Sequence, residues 1–550
     1  MSTAATYSFN HGVRSRQVPP TVIPATVPEV GIAGLIGTAP IHLAANPAAV
    51  NTPILVIGLA DAIDKFGPDR VGYTLPKAFI EIDEECGGEW AAIVVNVFDP
   101  ANDLTTVTGQ TFTFGVGNTL DLGEANIDLL AVVGDAQYIG DYRLPVGGKA
   151  IGTENATIST VKTLAGVTLT ATTDYTISGN IITPVTVTDQ IVRVTYSEPN
   201  TTFSAGTDYT VNHATGIVAR VIGGRIAAED SVNIDFSYPT APSNADLVGA
   251  VSGDQKTGMQ ALQDAFGIYG EIPYELGVPE YSDRPEIQDA LLALAYKLEA
   301  QAHCCAPTDS SSDQLLQGRG GTGDLAHWLE KDIRLSLYGG SQTDYRQHTD
   351  AIESTDLSTR AIAASLRTTR ELGFWYSSSN KPLSIISATV FDNSGETSIV
   401  NQLNKDGVTV INRFRSTGFV LWGNSNSARS SSAAASLMHF RSVVRTADVI
   451  ARQLRQAMLP YIDRPLALSD VEAQTGVVLL MREAGQFILN SFTGSAITEG
   501  VFKIDAAKNP RETLAVGRVL CTYEIVPVVP LEDVILEQSV VPRLSFDLEL

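Results

Sequence analysis

The 550-residue sequence is poor in the residues that build metal and redox sites, with four cysteines and seven histidines. Cys86, Cys304, Cys305 and Cys521 have no spacing that makes a disulfide framework, and free thiols fit a reducing cytoplasm. His303, Cys304 and Cys305 adjoin in "AQAHCCAP". Neighbours on a strand point to opposite faces, so these three cannot jointly close a tetrahedral zinc site. The stretch reads as a buried strand end with small, soft hydrophobes. No apolar run approaches the roughly 20 residues that span a bilayer. The opening "MSTAATYSFNHGVRSRQVPP" has no apolar h-region, so neither Sec export nor direct membrane insertion is expected. Positive charge is scarce as well: 37 Lys and Arg stand against 61 Asp and Glu, a net charge of −24. Nucleic acids and anionic membranes reward a positive surface, so neither is expected as a general partner. "GRGGTGD" (318–324) lacks the Lys-[Ser/Thr] of a phosphate-binding loop, follows no clear strand, and reads as a flexible surface turn. No Gly-x-Ser-x-Gly elbow is present. Glu84 and Glu85 read as a solvated helix face. No catalytic, metal or cofactor-binding residue is assigned, and no cofactor is expected.

What is present is material for several cores, with 44% hydrophobic and 18% charged residues. At roughly 150 residues per domain, three or four domains are expected. Residues 1–28 carry Pro19, Pro20, Pro24 and Pro28, which favour an extended arm. In 29–100 the strand-like "EVGIAGLIGTAP", "NTPILVIG" and "EWAAIVVNVF" alternate with the helical "LADAIDKFG" and "LPKAFIEIDEECGG", as in a covered α/β sheet. Residues 101–244 are rich in Thr, Val, Gly and Asp with period-2 alternation, and read as an inserted β-sandwich. Within it "TTDYTISGNIITPVTVTDQIVRVTYSEP" (172–199) resembles "GTDYTVNHATGIVARVIGGRIAAEDSVNIDFSYP" (206–239), a pair of similar hairpins in one sandwich. Helical patterning returns at 245, so 29–100 and 245–405 form one split α/β domain. Residues 406–530 read as an α+β C-terminal domain: a hairpin in "GVTVINRFRSTGFVLWG", an arginine-rich helix, a second helix in "LSDVEAQTGVVLLMREAGQFIL", then strands in "VLCTYEIVPVVPLEDVILEQ". Residues 531–550 form a second extended arm. The fold class is α/β and α+β, multidomain.

Between residues 411 and 465 there are eight arginines and two acidic residues, a local surplus of six positive charges. Arg441, Arg445, Asp448, Arg452 and Arg455 are spaced four, three, four and three apart, which places them within about 80° of one helical face. Val443, Val444, Ala447, Ile450, Leu454 and Met458 occupy the other side. The pattern predicts an outward row of guanidiniums, either solvated with a pair to Asp448 or docked on an acidic partner.

Taken in order, the segments resemble the contractile tail sheath proteins of bacteriophages and related injection machines. "GVRSRQVPPTVIPATVPEVGIAGLIGTAP" is similar to that family's N-terminal stretch. The likeness continues through "NTPILVIGLADAIDKFG", "EWAAIVVNVF", "ELGFWYSSSNKPL", "INRFRSTGFVLWGNSNSA", "SVVRTADVIARQLRQAMLPYIDRP" and "NPRETLAVGRVLCTYEIVPVVPLEDVIL". It covers most of the chain outside 101–244, a region that varies among sheaths. "STDLSTRAIAASLRTTR" and "CAPTD" depart from the family's pattern.

The resemblance implies a structural subunit and not an enzyme. It would polymerise helically around a tail tube and contract to drive the tube through a host envelope. Its arms would add strands to neighbouring copies, with Val18, Val22, Ile23, Val27, Val541, Leu544, Phe546 and Leu548 filling pockets. Implied partners are the chain itself, the tail tube protein, and baseplate and tail terminator proteins. The implied location is the virion tail, after assembly in the host bacterial cytoplasm. The C-terminal domain would face the tube, so that Arg441, Arg445, Arg452 and Arg455 meet the tube or an adjacent subunit. The sheath of a phage-like bacteriocin or injection system remains an alternative. A subtilisin-like hydrolase and a surface adhesin are readings of other classes.

Overall fold

In the computed structural model the described residues are 31–186, 190–320, 332–346, 348–349, 351–430, 437–467 and 469–540. Two compact units divide the chain. The larger comprises Gly31–Thr368 and Ser378–Ser432, and the smaller includes Thr369–Ser377 and Ala433–Leu550.

The larger unit begins with β1 (Ile32–Gly37), β2 (Ile54–Ile57), α1 (Gly58–Phe66), α2 (Leu75–Cys86) and β3 (Ala91–Asn96). β3 runs parallel to β1 and antiparallel to β2. All six residues of β1 are buried, so this sheet needs cover on both faces. Side chains alternate across it. Ile32, Ile36, Ile93 and Val95 enter one core, while Ala33, Leu35, Ala92 and Val94 enter another with α1 and α2.

After β3 the chain turns through α3 (Pro100–Asp103), capped by Asp99, whose carboxylate accepts from Ala101 N. It then leaves the sheet. The insertion contains β4 (Leu104–Thr113), β5 (Thr119–Asp121), β6 (Asp128–Arg143), β7 (Lys149–Ala150), β8 (Thr157–Thr163), β9 (Tyr175–Ser178) and β10 (Ile181–Pro184). It ends with β11 (Ile191–Thr202), β12 (Tyr209–Asn212), β13 (Ile217–Arg220) and β14 (Ser231–Pro239). One sheet has the order β4-β14-β6-β11-β8, and two small sheets have the orders β12-β13-β5 and β7-β10-β9.

These orders reveal a nested duplication. A proximal module, β4-β14-β6 with β12-β13-β5, is repeated as a distal module, β6-β11-β8 with β9-β10-β7. β6 serves both, as third strand of one and first strand of the other. Each module has its own core, around Phe114, Val218 and Phe236 and around Leu144, Ile182 and Val194. Tyr138 on β6 packs against both. The equivalence reaches single hydrogen bonds. Asp174 accepts from Thr170 N (2.8 Å) and Asp208 from Ser204 N (2.9 Å). Their own carbonyls accept from Val185 N and Val221 N (2.7 and 2.8 Å). Register shifts fall at Asp235/Phe236 and at Thr195/Tyr196, the same place in each copy. Arg225, 2.6 Å from Asp208, holds that carboxyl down to about 2. The sequence reading of two hairpins in one sandwich therefore gives way to two cores on one continuous sheet. Gly134 of β6 faces Thr201 of β11, which closes the proximal module behind the distal one. Replacing residues 135–200 by an Asn-Gly turn is expected to leave the proximal core folded. Hydrogen exchange of β12–β14 checks this, and loss of their protection would contradict nesting.

The chain returns through α4 (Asn244–Val248), whose Ser243 and Asp246 form a capping box. Next come a small hairpin, β15 (Val251–Ser252) and β16 (Gln255–Lys256), α5 (Ala265–Tyr269), β17 (Glu275–Gly277), α6 (Pro285–Leu298) and β18 (Gln301–Cys305). α7 (Ser312–Gly320), β19 (Leu335–Tyr338), the hairpin β20 (Gln342–Arg346) and β21 (Ala351–Thr355), and α8 (Ser358–Glu371) follow. The unit ends with β22 (Ser387–Ala388), α9 (Ile399–Lys405), β23 (Val408–Phe414) and β24 (Gly418–Trp422). The main sheet has eight strands in the order β2-β3-β1-β17-β18-β19-β23-β24.

Several expectations change here. β23 pairs parallel to β19 (Leu337↔Val408), so the sheet continues past residue 405, where the sequence placed a domain boundary. Of "GRGGTGD", Gly318–Gly320 end α7 and the rest lies outside the described residues. Cys304 enters one core and Cys305 the other. His303 is buried between Glu275 Oε2 (2.6 Å) and the Tyr338 hydroxyl (2.7 Å).

Glu84 and Glu85 do not share a solvated face. α8 crosses α2 there, and Arg360 is fully buried. Its Nε donates to Gln342 Oε1 (3.2 Å), its Nη1 to the Glu81 carbonyl (3.1 Å), and its Nη2 to Glu84 (2.9 Å) and Asp344. Glu85 is buried and accepts from Arg367 (2.6 Å) and Ser384 N (2.5 Å). Burial outweighs the attraction of Arg360 and Arg346 and pushes Glu81 up to about 7. It raises Glu85 and Asp344 as well. A carboxyl raised on folding keeps its proton in the native state where the unfolded chain has lost it, so stability falls as pH rises from 4.5 to about 7. Glu81→Gln is expected to remove roughly 2 kcal/mol of the stability change between about pH 5 and 7.5. Urea unfolding at the two pH values measures it, and an unchanged difference contradicts the assignment.

Candidate functional site

The smaller unit is built on α10 (Arg441–Met458), which packs on α12 (Gly476–Phe492). Between them lies the short α11 (Asp470–Ala473). The sequence reads α11 and α12 as one helix. Gln474 adopts φ 53°, a left-handed residue that ends α11. β25 (Ile497–Lys503), α13 (Arg511–Ala515) and β26 (Thr522–Pro527) follow. α12 lies close on β25 because Gly485 sits beneath the Phe502 ring: a Cβ there would come within 2.5 Å of it. Phe374, from the 369–377 segment of the same unit, packs edge-on against Phe492 at 5.5 Å.

The predicted outward row of arginines is corrected. Arg441, Arg445, Asp448 and Arg452 are all buried, as are Val443, Val444, Ile450 and Leu454 on the opposite side. Arg455 is exposed. The physical reason is visible at Arg445. Its Nε donates to the Phe374 carbonyl and its Nη2 to the Tyr376 carbonyl, both at 2.8 Å. The 369–377 segment runs along the side that periodicity assigned to solvent, and a guanidinium satisfies several backbone acceptors at once. The eight arm residues named from the sequence, Val18, Val22, Ile23, Val27, Val541, Leu544, Phe546 and Leu548, lie outside the described residues.

The open feature of this unit is a β-ladder. β25 and β26 pair antiparallel from Ile497↔Pro527 to Lys503↔Thr522, and Val528 N donates to the Ala496 carbonyl at 3.1 Å. Among the described residues neither strand pairs with a third. β26 presents an outer edge of backbone N–H and C=O groups, while on β25 the Gln486 side chain of α12 covers the edge, donating to the Gly500 carbonyl (2.9 Å) and accepting from Phe502 N (3.0 Å). From 528 to 540 the chain continues without regular structure, and every residue of 531–540 is exposed. These include Leu531, Val534, Ile535, Leu536 and Val540, each at least 63% accessible. Such a chain of exposed apolar side chains beside a two-stranded ladder is suited to pairing with another chain. The sequence reading missed β25, whose signal is the alternation of Ile497, Glu499, Val501 and Lys503 with their neighbours, interrupted by Gly500. It also extended the late strands to 538, whereas β26 stops at Pro527.

No protein-family profile matches the chain. The tail sheath protein of Burkholderia phage BcepMu is 28% identical over 549 residues, 97% of each chain. That match spans both units, the insertion and the ladder. Over nearly its whole length the chain is similar to a phage tail sheath protein. The tail sheath protein of Escherichia phage P2 is 25% identical over 321 residues, 57% of this chain and 75% of that one. Among solved structures, the sheath complex of an extracellular contractile injection system, PVC, in its contracted state aligns with a TM-score of 0.53 at 9% identity. It covers 97% of this chain and 98% of that one, a likeness of fold.

Within the smaller unit the arginine helix is a structural spine. Arg445→Glu is expected to unfold the smaller unit, because the buried Phe374 carbonyl loses its donor at roughly 1–3 kcal/mol, the part-buried Tyr376 carbonyl loses its donor too, and both then face a buried carboxylate. Arg455→Glu, at an exposed position, is expected to keep the wild-type circular dichroism spectrum and to lower the urea midpoint far less than Arg445→Glu does. Equal tolerance of both substitutions would restore the outward row.

Proposed function

We propose that the chain polymerises helically around a tail tube and shortens to drive that tube through a host envelope. The terminal arms of one copy add strands to the β25–β26 ladder of the next. The observation that carries this reading is the ladder itself, two-stranded among the described residues and followed by the extended, apolar 528–540 segment. Main-chain hydrogen bonds supply the affinity in such strand addition, and alternate side chains supply the register. A contact between unlike patches that does not close on itself generates a helix of subunits. The family relationship supports the sheath role, and the relatives' names describe a structural protein.

The partners in this reading are further copies of the chain, a tube protein along its length, and baseplate and terminator proteins at its ends. Its place is the virion tail, after assembly in the host cytoplasm. Of the four arginines singled out in the sequence, Arg455 is the one with exposed surface for an acidic tube or neighbour. An exposed pair of this kind is worth about 0–1 kcal/mol and is screened by salt, which suits a contact that breaks when the sheath shortens. Strand exchange between copies tethers them while folded units move as rigid bodies. The energy comes from the difference in burial and pairing between a metastable long state and a stable short one.

The full chain is expected to form striated hollow tubes in negative stain. Removing residues 531–550 is expected to leave folded monomers with the wild-type circular dichroism spectrum. Tubes of the same diameter from the truncated chain would sink the strand-addition reading.

A further inference from the structure

Where the insertion meets the α/β core, a crevice of about 480 Å³ is lined from both sides. The core contributes Arg70, Tyr73 and His348. The insertion contributes Asn126, Ala214 and Pro239. Contact here is close: a Cβ on Gly72 would lie 2.7 Å from Pro239 and 3.0 Å from Asn126. An ion pair crosses the seam from Arg70 to Asp128 at 3.5 Å.

Beside that pair, two histidines meet. His213, on the turn between β12 and β13, lies with its ring centroid 4.5 Å from that of His348, between β20 and β21. His213 is tied to its own module by Nδ1, 3.0 Å from the Ile127 carbonyl. His348 Nε2 is buried without a hydrogen-bond partner, and so is Arg70 Nε. A neutral imidazole tolerates this surrounding. An imidazolium does not, because it would carry an unsatisfied charged donor next to a guanidinium and a second ring.

We propose that the His213–His348 pair is an acid-operated latch, holding the insertion on the core while neutral and loosening it when protonated. The charged groups facing His348 come from every packed element. His213 and Arg70 oppose its protonation, while Asp128 on β6 and Glu353 on β21 favour it. Burial, reinforced by His213 and the Arg70 guanidinium, prevails and holds His348 down to about 4. His42, near the same Asp128 and Arg70, is lowered too. When the seam opens, His348 regains an ordinary imidazole's proton affinity. Opening is therefore favoured as pH falls below the usual histidine range. The sign is opposite to that of Glu81, so global stability would blur the effect and a local measurement is required.

The test is hydrogen exchange of the full-length, unassembled chain at about pH 7.5 and 5.5, corrected for intrinsic rates. Peptides covering 67–74 and 210–216 are expected to lose protection by about tenfold at the lower pH. β1 and β3 should keep theirs. In His348→Gln the pH response of those peptides is expected to fall below about twofold. Should that variant not fold, His348→Phe fills the ring's place without a titrating group and serves the same comparison. A wild-type seam whose protection is independent of pH, or a folded variant that keeps the tenfold response, overturns the latch.

Discussion

A parallel strand is apolar on both faces, so a sheet built from such strands has to be covered twice. In this chain one face of the eight-stranded sheet is closed by α4, α6 and α9, through Leu247, Leu291 and Leu403. The other is closed by α1, α2 and α8, through Phe66, Phe79 and Ile362. The two covers are not equivalent in sequence. α8 arrives some 270 residues after α2, and Arg360 and Arg367 pin the two together. The cost is a set of carboxyls held in a place where burial opposes their charge. Breaking one partner of such a cluster is more damaging than never having had it, which makes the α2–α8 contact the tightest constraint on the larger unit.

The same sheet explains why an insertion of this size is tolerated. A connection from β3 to β17 must cross over the sheet in any case, because the strands flanking β1 on either side run parallel to it. Once a crossover exists, lengthening it adds closure entropy only logarithmically. Here the ends of the excursion are also tied together: Thr240 N donates to the Asp103 carbonyl at 2.8 Å. The core therefore meets a closed hairpin base and, beside it, only the near end of the proximal module.

Much of this was legible in the residues. β1 and β3 announce themselves by unbroken apolar runs, and the insertion by its period of two. What stayed hidden shares one cause: the deciding partner is remote in sequence. The arginines of α10 have the spacing of a solvated stripe, and only the carbonyls of Phe374 and Tyr376, about 70 residues earlier, reveal that the stripe is inside. Glu85 sits among polar neighbours on α2, yet Arg367 and Ser384 bury it. The nested duplication escaped because β6 belongs to both copies, so a search for tandem units finds the hairpins and misses the frame. The hairpin β23–β24 was correct as a local element and misplaced as a member of the next domain, since parallel pairing to β19 leaves no local trace.

The shared strand has a mechanical consequence. β6 has 16 residues, about 50 Å of extended backbone, and it is hydrogen-bonded along that length to β14 and then to β11. Two domains joined by a linker can swivel. Two domains that own the same strand cannot, and any torque on the distal end is passed to the proximal end as shear on a continuous ladder. The duplicated insertion is in effect a single lever, not two jointed arms.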